Sequence, residues 1–303
     1  SGVDYCWARR DDLALVVHTS GTTDKPKIVP LTHENICVGA LCVTSTLQPT
    51  PEDRSINIMP LYHMHGLMVN LLVSAFTGSS IVCTPGHHAN AFFGWLRDFK
   101  PTWMSAVPTM HQALLRRGLE VQEQTGGSPA HQLQLIRNCS AALVPSVASA
   151  MENFWAPAKV LCTYAMSESV PICSNPRFGS SRSLNSVGPA AGPEASICAP
   201  IGSSDFVMQT VARGVSGEVC VSGECVTRGY EFRAHMAADP NLAATLTDER
   251  GGLWLRTGDK GHFDENGHLR LDGRFKEIIN RGGEKISPFE VEDALLSHPA
   301  VEN

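Results

Sequence analysis

From Leu13 to Tyr164 the chain repeats one unit, a short apolar run followed by a stretch with helical spacing. A strand that is followed each time by a helix returns to the same end of its sheet. The rhythm therefore predicts an α/β fold, a mostly parallel sheet with flanking helices. The spacing predicts strands at Leu13–Val17, Ser55–Pro60, Ser79–Thr84, Trp103–Val107, Leu133–Cys139 and Lys159–Tyr164. Between them it predicts helices at His33–Leu47 (behind Thr32 as N-cap), Gly66–Phe76, Ala89–Phe99, Pro108–Arg116 and Pro145–Phe154. The polar segment Glu120–Pro129, with Gly126 and Gly127, reads as a surface loop.

After Tyr164 the pattern changes. Gly and Pro become frequent, and short β-patterned runs at Ala195–Cys198, Gly217–Ser222 and His268–Leu271 predict a β-rich subdomain, interrupted by a helical stretch at Ala234–Leu246. From Arg274 the pattern becomes a turn and then a helix starting at Pro288, with a strand entry near His298–Glu302.

Charge and hydropathy exclude several classes. With 24 basic and 30 acidic residues, net −6 and no basic stripe, bulk nucleic-acid binding is not expected. No membrane span is expected either: the apolar run Leu67–Phe76 is about ten residues long and broken by Asn70 and Ser74. The ten cysteines lie mostly in apolar runs, with no C-x-x-C pair and no zinc-ligand spacing. Reduced, buried thiols are the expectation, and with them an intracellular setting, cytoplasmic or peroxisomal.

The segment His18–Pro30 carries the clearest chemistry. It places Thr19, Ser20, Thr22 and Thr23 around Gly21, with Lys25 and Lys27 following. Backbone amides freed by a glycine, short hydroxyls and two cations can surround phosphate oxygens. Taken alone, the loop reads equally well as a polar surface turn. It is not a Walker A loop, since Pro26 follows Lys25 and blocks a helix start there. Four later segments fit it. Tyr164–Glu168 ends a strand with a ring, the Ser167 hydroxyl and a carboxylate able to hold Mg²⁺ against phosphates. Arg256–Asp259 offers a carboxylate at a tight turn, the group that accepts ribose hydroxyls. Gly273–Glu277 brings the cations Arg274 and Lys276, and Arg281–Pro288 is a basic loop made flexible by Gly282 and Gly283. Singly, Glu168 could be a solvated carboxylate, Asp259 a turn former and Arg274 a surface cation.

In this order the five segments resemble the adenylate-forming superfamily of acyl-CoA synthetases, peptide-synthetase adenylation domains and luciferases. The resemblance runs from Leu13 to the last residue. The runs Pro60–Leu67, Ala106–Gln112, Arg137–Ala141 and Glu277–Pro288 are similar to the 4-coumarate–CoA ligase-like branch, above all to oxalate–CoA ligases. The resemblance implies a two-step ATP-dependent acid–thiol ligation through an acyl-adenylate. Its co-substrates would be ATP, coenzyme A and a small carboxylic acid such as oxalate, with Mg²⁺ on Glu168. It implies catalytic roles for Lys27, His63 and Glu168. It also implies a nucleotide site of Thr19, Ser20, Gly21, Thr22, Thr23, Lys27, Ser140, Ala141, Tyr164, Ser167, Asp259 and Arg274. The acyl pocket would be His63, His65 and Ser140, with Lys276 as hinge and Gly282–Gly283 on the CoA side. The domains implied are an incomplete N-terminal adenylation domain over residues 1–273, α/β over 1–164 and β-rich over 165–273. A hinge and the start of a small α+β C-terminal domain follow at 274–303.

Departures from the family pattern bear on these expectations. Asp24 and Ile28 stand where the family has glycines. A carboxylate about 4 Å from a phosphate charge would cost about 1 kcal/mol in water and about 4 at an effective dielectric near 20. Pro171 stands three residues after Glu168, where oxalate ligases carry a histidine. The family's long segment before the phosphate loop and its Gly-Lys lysine near the C-terminus are not in the sequence, so these 303 residues alone are expected to show little or no ligase activity. The other readings are a catalytically impaired nucleotide-binding remnant and an amino-acid adenylation domain. The second is disfavoured because Tyr62–His63 stand where that group has an amine-pairing aspartate. A luciferase-type oxidation is a further alternative.

Overall fold

Two strands pair antiparallel at the start of the chain, β1 (Leu13–His18) and β2 (Ile28–Thr32), and hold the ends of the hydroxyl-rich loop together. The computed structural model describes residues 7–19, 26–199, 207–233, 236, 238–281, 284–296 and 301. Helix α1 (His33–Leu47) follows directly, with its first turn closed by a capping box. The Thr32 hydroxyl accepts from the Asn35 amide, and the Asn35 side chain accepts from the Thr32 N–H.

The main sheet is built next, from β3 (Arg54–Asn57), a π-helix (His65–Leu72) running into α2 (Val73–Thr77), β4 (Ser80–Cys83), α3 (Ala89–Phe99), β5 (Trp103–Ala106), α4 (Pro108–Thr125), β6 (Leu135–Asn138), α5 (Pro145–Phe154), β7 (Lys159–Met166) and β8 (Ser169–Ser174). Its strand order is β4-β3-β5-β6-β7-β8, parallel up to β7 and antiparallel at β8. From β3 onward the alternation is thus a mostly parallel sheet with flanking helices, as expected, whereas the strand at Leu13–Val17, expected as the first of that repeat, pairs with β2 in a separate antiparallel hairpin. Strand period two divides the faces. Met104, Ala106, Ile136 and Val160 point into an apolar layer with Phe92, Leu96 and Trp155. Trp103, Leu135 and Leu161 point towards α1 and the π-helix.

Helix α4 corrects the expected loop at 120–129, since it runs on to Thr125. Glu, Gln and Val are adequate helix formers there, and the stop comes only at Gly126, whose φ of 73° closes the last turn. The predicted single helix Gly66–Phe76 is a π-helical turn followed by a short α-helix. Gly66 lies against the preceding loop, where a Cβ would come within 2.4 Å of the Pro60 carbonyl oxygen.

A second sheet is wholly antiparallel, from β9 (Glu194–Cys198), β10 (Gly217–Ser222), β11 (Thr245–Thr247), β12 (Leu253–Phe263) and β13 (Leu269–Arg274). The helix expected at Ala234–Leu246 is corrected as well. Among the described residues only α6 (Asn241–Ala244) is helical, Pro240 stands at its start, and β-branched Thr245 already belongs to β11. Residues 234, 235 and 237 lie outside the described residues. Val219 and Val221 of β10 share a core with α1 and Leu161, which joins the two sheets. The segment read as a flexible basic loop is instead framed by paired strands, β14 (Ile279–Arg281) and β15 (Glu284–Ile286), before α7 (Pro288–Leu296). The expected strand entry at 298–302 falls almost entirely outside the described residues. No described helix is long and apolar enough to cross a membrane.

Candidate active site

The hydroxyl-rich loop is pinned at its base. The Thr19 N–H donates to the Lys27 carbonyl at 3.0 Å, and the Lys27 N–H donates to the Thr19 hydroxyl at 3.1 Å. Ser20, Gly21, Thr22, Thr23, Asp24 and Lys25 lie outside the described residues. Ile28 is the first residue of β2, paired with His18.

Lys27 emerges from this base over a residue that no sequence motif singled out. Its Nζ lies 4.3 Å from the ring centroid of Tyr230, within the range of a cation–π contact. The Tyr230 hydroxyl donates to Glu168 Oε1 at 2.6 Å, and Glu168 is buried in the turn between β7 and β8. Three chain segments meet here because backbone bonds tie them. The Thr227 N–H donates to the Glu168 carbonyl, the Thr227 hydroxyl to the Pro30 carbonyl, and the Glu231 N–H to the Ile28 carbonyl. The Asn35 side-chain amide donates to the carbonyls of Glu224 and Val226, anchoring the same segment on α1. Burial and the Glu168 charge push the Tyr230 phenol up, so it stays a donor. The sequence signal for Tyr230 is weak, one ring in the run Arg228-Gly229-Tyr230. Ser167 shares the turn with Glu168 and is half-buried.

A second carboxylate lies nearby. Tyr164 is buried near the end of β7, and its hydroxyl donates to Asp259 Oδ2 at 2.5 Å. Arg274 Nε lies 3.3 Å from Asp259 Oδ1 across a direct β12–β13 pairing. Burial raises the Asp259 carboxyl, while Tyr164 and Arg274 pull it back down. Burial raises the Tyr164 phenol too, with Asp259 adding to the effect. The expected tight turn at Asp259 is a bulge inside the long strand β12. Its register against β10 slips between Lys260 and Arg256, with Gly258 at φ 75°.

The predicted acyl-pocket residues divide. His65, at the start of the π-helix, is buried between two hydroxyls, with Nε2 2.6 Å from Ser105 Oγ and Nδ1 3.2 Å from Ser140 Oγ. Burial holds its pKa well below the usual imidazole value, helped by the charge of Arg137. His63 is exposed, its ring 4.6 Å from that of Tyr62. Ser140 and Ala141 are exposed in the turn after β6. Ser140 has φ 74°, and Asn138 Nδ2 donates to the Ala141 carbonyl. Lys276 lies on an exposed turn after β13, while Gly282 and Gly283 are outside the described residues.

Glu168, Ser140 and His65 all follow the carboxyl ends of parallel strands, where open α/β sheets bind small ligands. The class defined is therefore an α/β protein with a polar site at that end of the sheet. The chain belongs to the AMP-binding enzyme family, whose profile matches residues 3–231. It is 40% identical over 294 residues to a probable CoA ligase of Humulus lupulus, CCL9, covering 95% of this chain and 52% of that protein. It is 39% identical over 298 residues to the oxalate–CoA ligase of Saccharomyces cerevisiae, covering 98% of this chain and 51% of that protein. The structure of the O-succinylbenzoate coenzyme A synthetase of Bacillus subtilis in complex with ATP and magnesium ion matches with a TM-score of 0.79 and 29% identity. That match covers 98% of this chain and 57% of the other. The chain spans about half the length of the curated relatives it matches.

Proposed function

We propose that this chain carries the nucleotide- and acid-binding portion of an ATP-dependent acid–thiol ligase that works through an acyl-adenylate. The observation that carries the reading is the meeting of Lys27, Tyr230 and Glu168 at the carboxyl end of the sheet. In the first half-reaction a carboxylate oxygen bonds to the α-phosphorus of ATP, and the bond to pyrophosphate breaks. In the second, a thiol sulfur, that of coenzyme A, bonds to the acyl carbon and AMP leaves with the bonding pair, the thiol proton passing to solvent.

Charge builds on pyrophosphate as it departs. Lys27, held at the base of the hydroxyl-rich loop, supplies a fixed cation there, and a preorganised charge is worth more than a mobile one. Asp259, oriented by Tyr164 and Arg274, offers carboxylate oxygens to ribose hydroxyls.

The residues fit Mg²⁺. Tyr230 occupies Glu168 Oε1, and no described hydrogen bond takes Oε2. No group of three ligating side chains occurs among the described residues. One carboxylate completed by water and phosphate oxygens is how Mg²⁺ is commonly held. When bound it would neutralise phosphate charge.

The acid is assigned to the carboxyl end of the sheet at His63, His65 and Ser140. The likeness to an oxalate–CoA ligase supports a small carboxylic acid. Lys276 is assigned to the hinge and the hairpin beyond it to the CoA side. The test is pyrophosphate release by the full-length protein with a panel of acids, namely oxalate, short, medium and aromatic. Release that needs one of these acids supports the reading, and release indifferent to all of them rejects it.

A further inference from the structure

The ligase reading leaves the ten cysteines of the chain without a part. Two of them, far apart in sequence, meet behind the site. Cys42 lies on α1, and Cys225 lies in the segment after β10 that leads to Thr227 and Tyr230. Three α1 residues on one helical face, Asn35, Gly39 and Cys42, set up the meeting. Gly39 lets the helix lie close on β8, where a Cβ would come within 2.3 Å of the Val170 carbonyl oxygen. Asn35 grips both neighbours of Cys225, through the carbonyls of Glu224 and Val226. Both sulfurs then face Gly192, where a Cβ would lie 3.2 Å from Cys42 Sγ and 3.4 Å from Cys225 Sγ.

The two thiols differ in character. Cys225 donates to the Cys42 sulfur, which lowers the Cys42 thiol to about 7 against the opposing effect of burial. The same contact, with burial, pushes Cys225 up, so it keeps its proton. Cys42 is half-buried and within reach of a small oxidant. Cys225 is buried, its sulfur 3.9 Å from the hydroxyl of Ser169, the residue after Glu168. The accessible thiol is thus the nucleophile and the protected one stands ready to resolve it. A second pair gives the contrast: Cys198 and Cys220, on the adjacent strands β9 and β10, also touch, but both are fully buried.

We propose that Cys42 and Cys225 form a modification site at which a hydroperoxide makes a reversible disulfide that arrests the ligase. The bond itself is independent of the ligase reading, and only its effect on turnover rests on it. The Cys42 thiolate attacks a peroxide oxygen, the O–O bond breaks, and the hydroxide released takes a proton from solvent, leaving Cys42 as a sulfenic acid. The Cys225 sulfur then attacks the Cys42 sulfur, and the S–O bond breaks, hydroxide leaving with the Cys225 proton as water. The thiols are oxidised to a disulfide and hydrogen peroxide is reduced to water. An external dithiol restores both thiols by exchange. Closing the contact to a bond draws Cys225 from Ser169 towards α1. Thr227, which bonds the Glu168 and Pro30 carbonyls, and Tyr230, which bonds the Glu168 carboxylate, follow on the same segment. The shift therefore reaches the groups that hold Lys27 and Glu168.

The experiment treats the full-length protein, reduced and freed of reductant, with hydrogen peroxide. Remaining thiols are blocked with N-ethylmaleimide, and peptides are read by mass spectrometry without reduction. The Cys42 and Cys225 peptides should be joined, while Cys198 and Cys220 remain thiols. Acid-dependent pyrophosphate release should fall about tenfold or more, the scale of losing the Tyr230 bond to Glu168, and return with dithiothreitol. Cys42→Ser, at a half-buried position, should keep the activity of the reduced protein and lose its sensitivity to peroxide. Peptides left unjoined, or Cys198 joined to Cys220 instead, overturn the proposal. Equal inhibition of Cys42→Ser, or a joined pair with unchanged activity, overturns it too. Absence of acid-dependent release from the reduced protein with every acid defeats the ligase reading, and the arrest with it, while the joined peptide still decides the disulfide.

Discussion

The two faces of the six-stranded sheet are built from alternate residues of the same strands and do different work. One face presents Met104, Ala106, Ile136 and Val160 to Phe92, Leu96 and Trp155, and is dry. The other presents Ser55, Asn57, Ser105 and Arg137 to Ser74, Asn70 and His65 on the helices above, in a buried polar seam. Trp103, Leu135 and Leu161 keep the rest of that face apolar. The first face is packed by apolar side chains alone, while the second combines a large apolar core with oriented hydrogen bonds that lead to the site.

This division of labour can be challenged from either face. The largest effect is expected at Trp155, which is fully buried and stacks on Phe93 at 5.8 Å. Trp155→Ala should cost about 3–5 kcal/mol in a urea melt. A loss below about 1 kcal/mol would show that the dry face does not hold the fold. His111 comes next, buried on α4 with its pKa pushed down to about 4 by burial. A folded pKa below the usual value of 6.5 means the unfolded chain binds the proton first. Stability is then fully present above about 6.5 and lost as pH falls towards about 4, by about 3 kcal/mol at most. Urea midpoints from about pH 7 to about pH 4.5 should fall less steeply in His111→Gln than in the wild type.

On the site side, Tyr230→Phe should slow pyrophosphate release about tenfold through loss of its bond to Glu168, with little change in melting. Equal loss of stability and rate would make Tyr230 a packing residue only. The smallest effect is expected at Thr32, whose capping box starts α1. Thr32→Ala should cost about 1 kcal/mol in the same urea melt and leave the site chemistry unchanged.

Much of the dry face was legible in the sequence, because burial on a parallel sheet writes itself as apolar runs of strand length. Helices α1, α3 and α5 match their predicted bounds, since Thr32, Pro145 and the residue spacing mark their ends locally. The polar side was legible only as motifs. Glu168, Asp259 and Arg274 stand out in order, but Tyr230 does not, because its importance comes from Thr227 and Glu231 binding strands far away in sequence. Arg137 looks like one member of a family motif, and only the strand register shows that it lies beside Ser105, which in turn meets His65. Asp259 reads as a turn because Thr-Gly-Asp has turn chemistry, and a bulge uses the same residues.

ATP–pyrophosphate exchange tests the central claim most directly, since it isolates adenylate formation and needs no thiol. With the full-length protein, label from pyrophosphate should enter ATP only when a carboxylic acid is present. Exchange should fall about a hundredfold or more in Lys27→Ala and in Glu168→Ala, the scale of losing one preorganised charge at a transition state. Exchange that needs no acid, or that survives unchanged in both variants, would contradict the account.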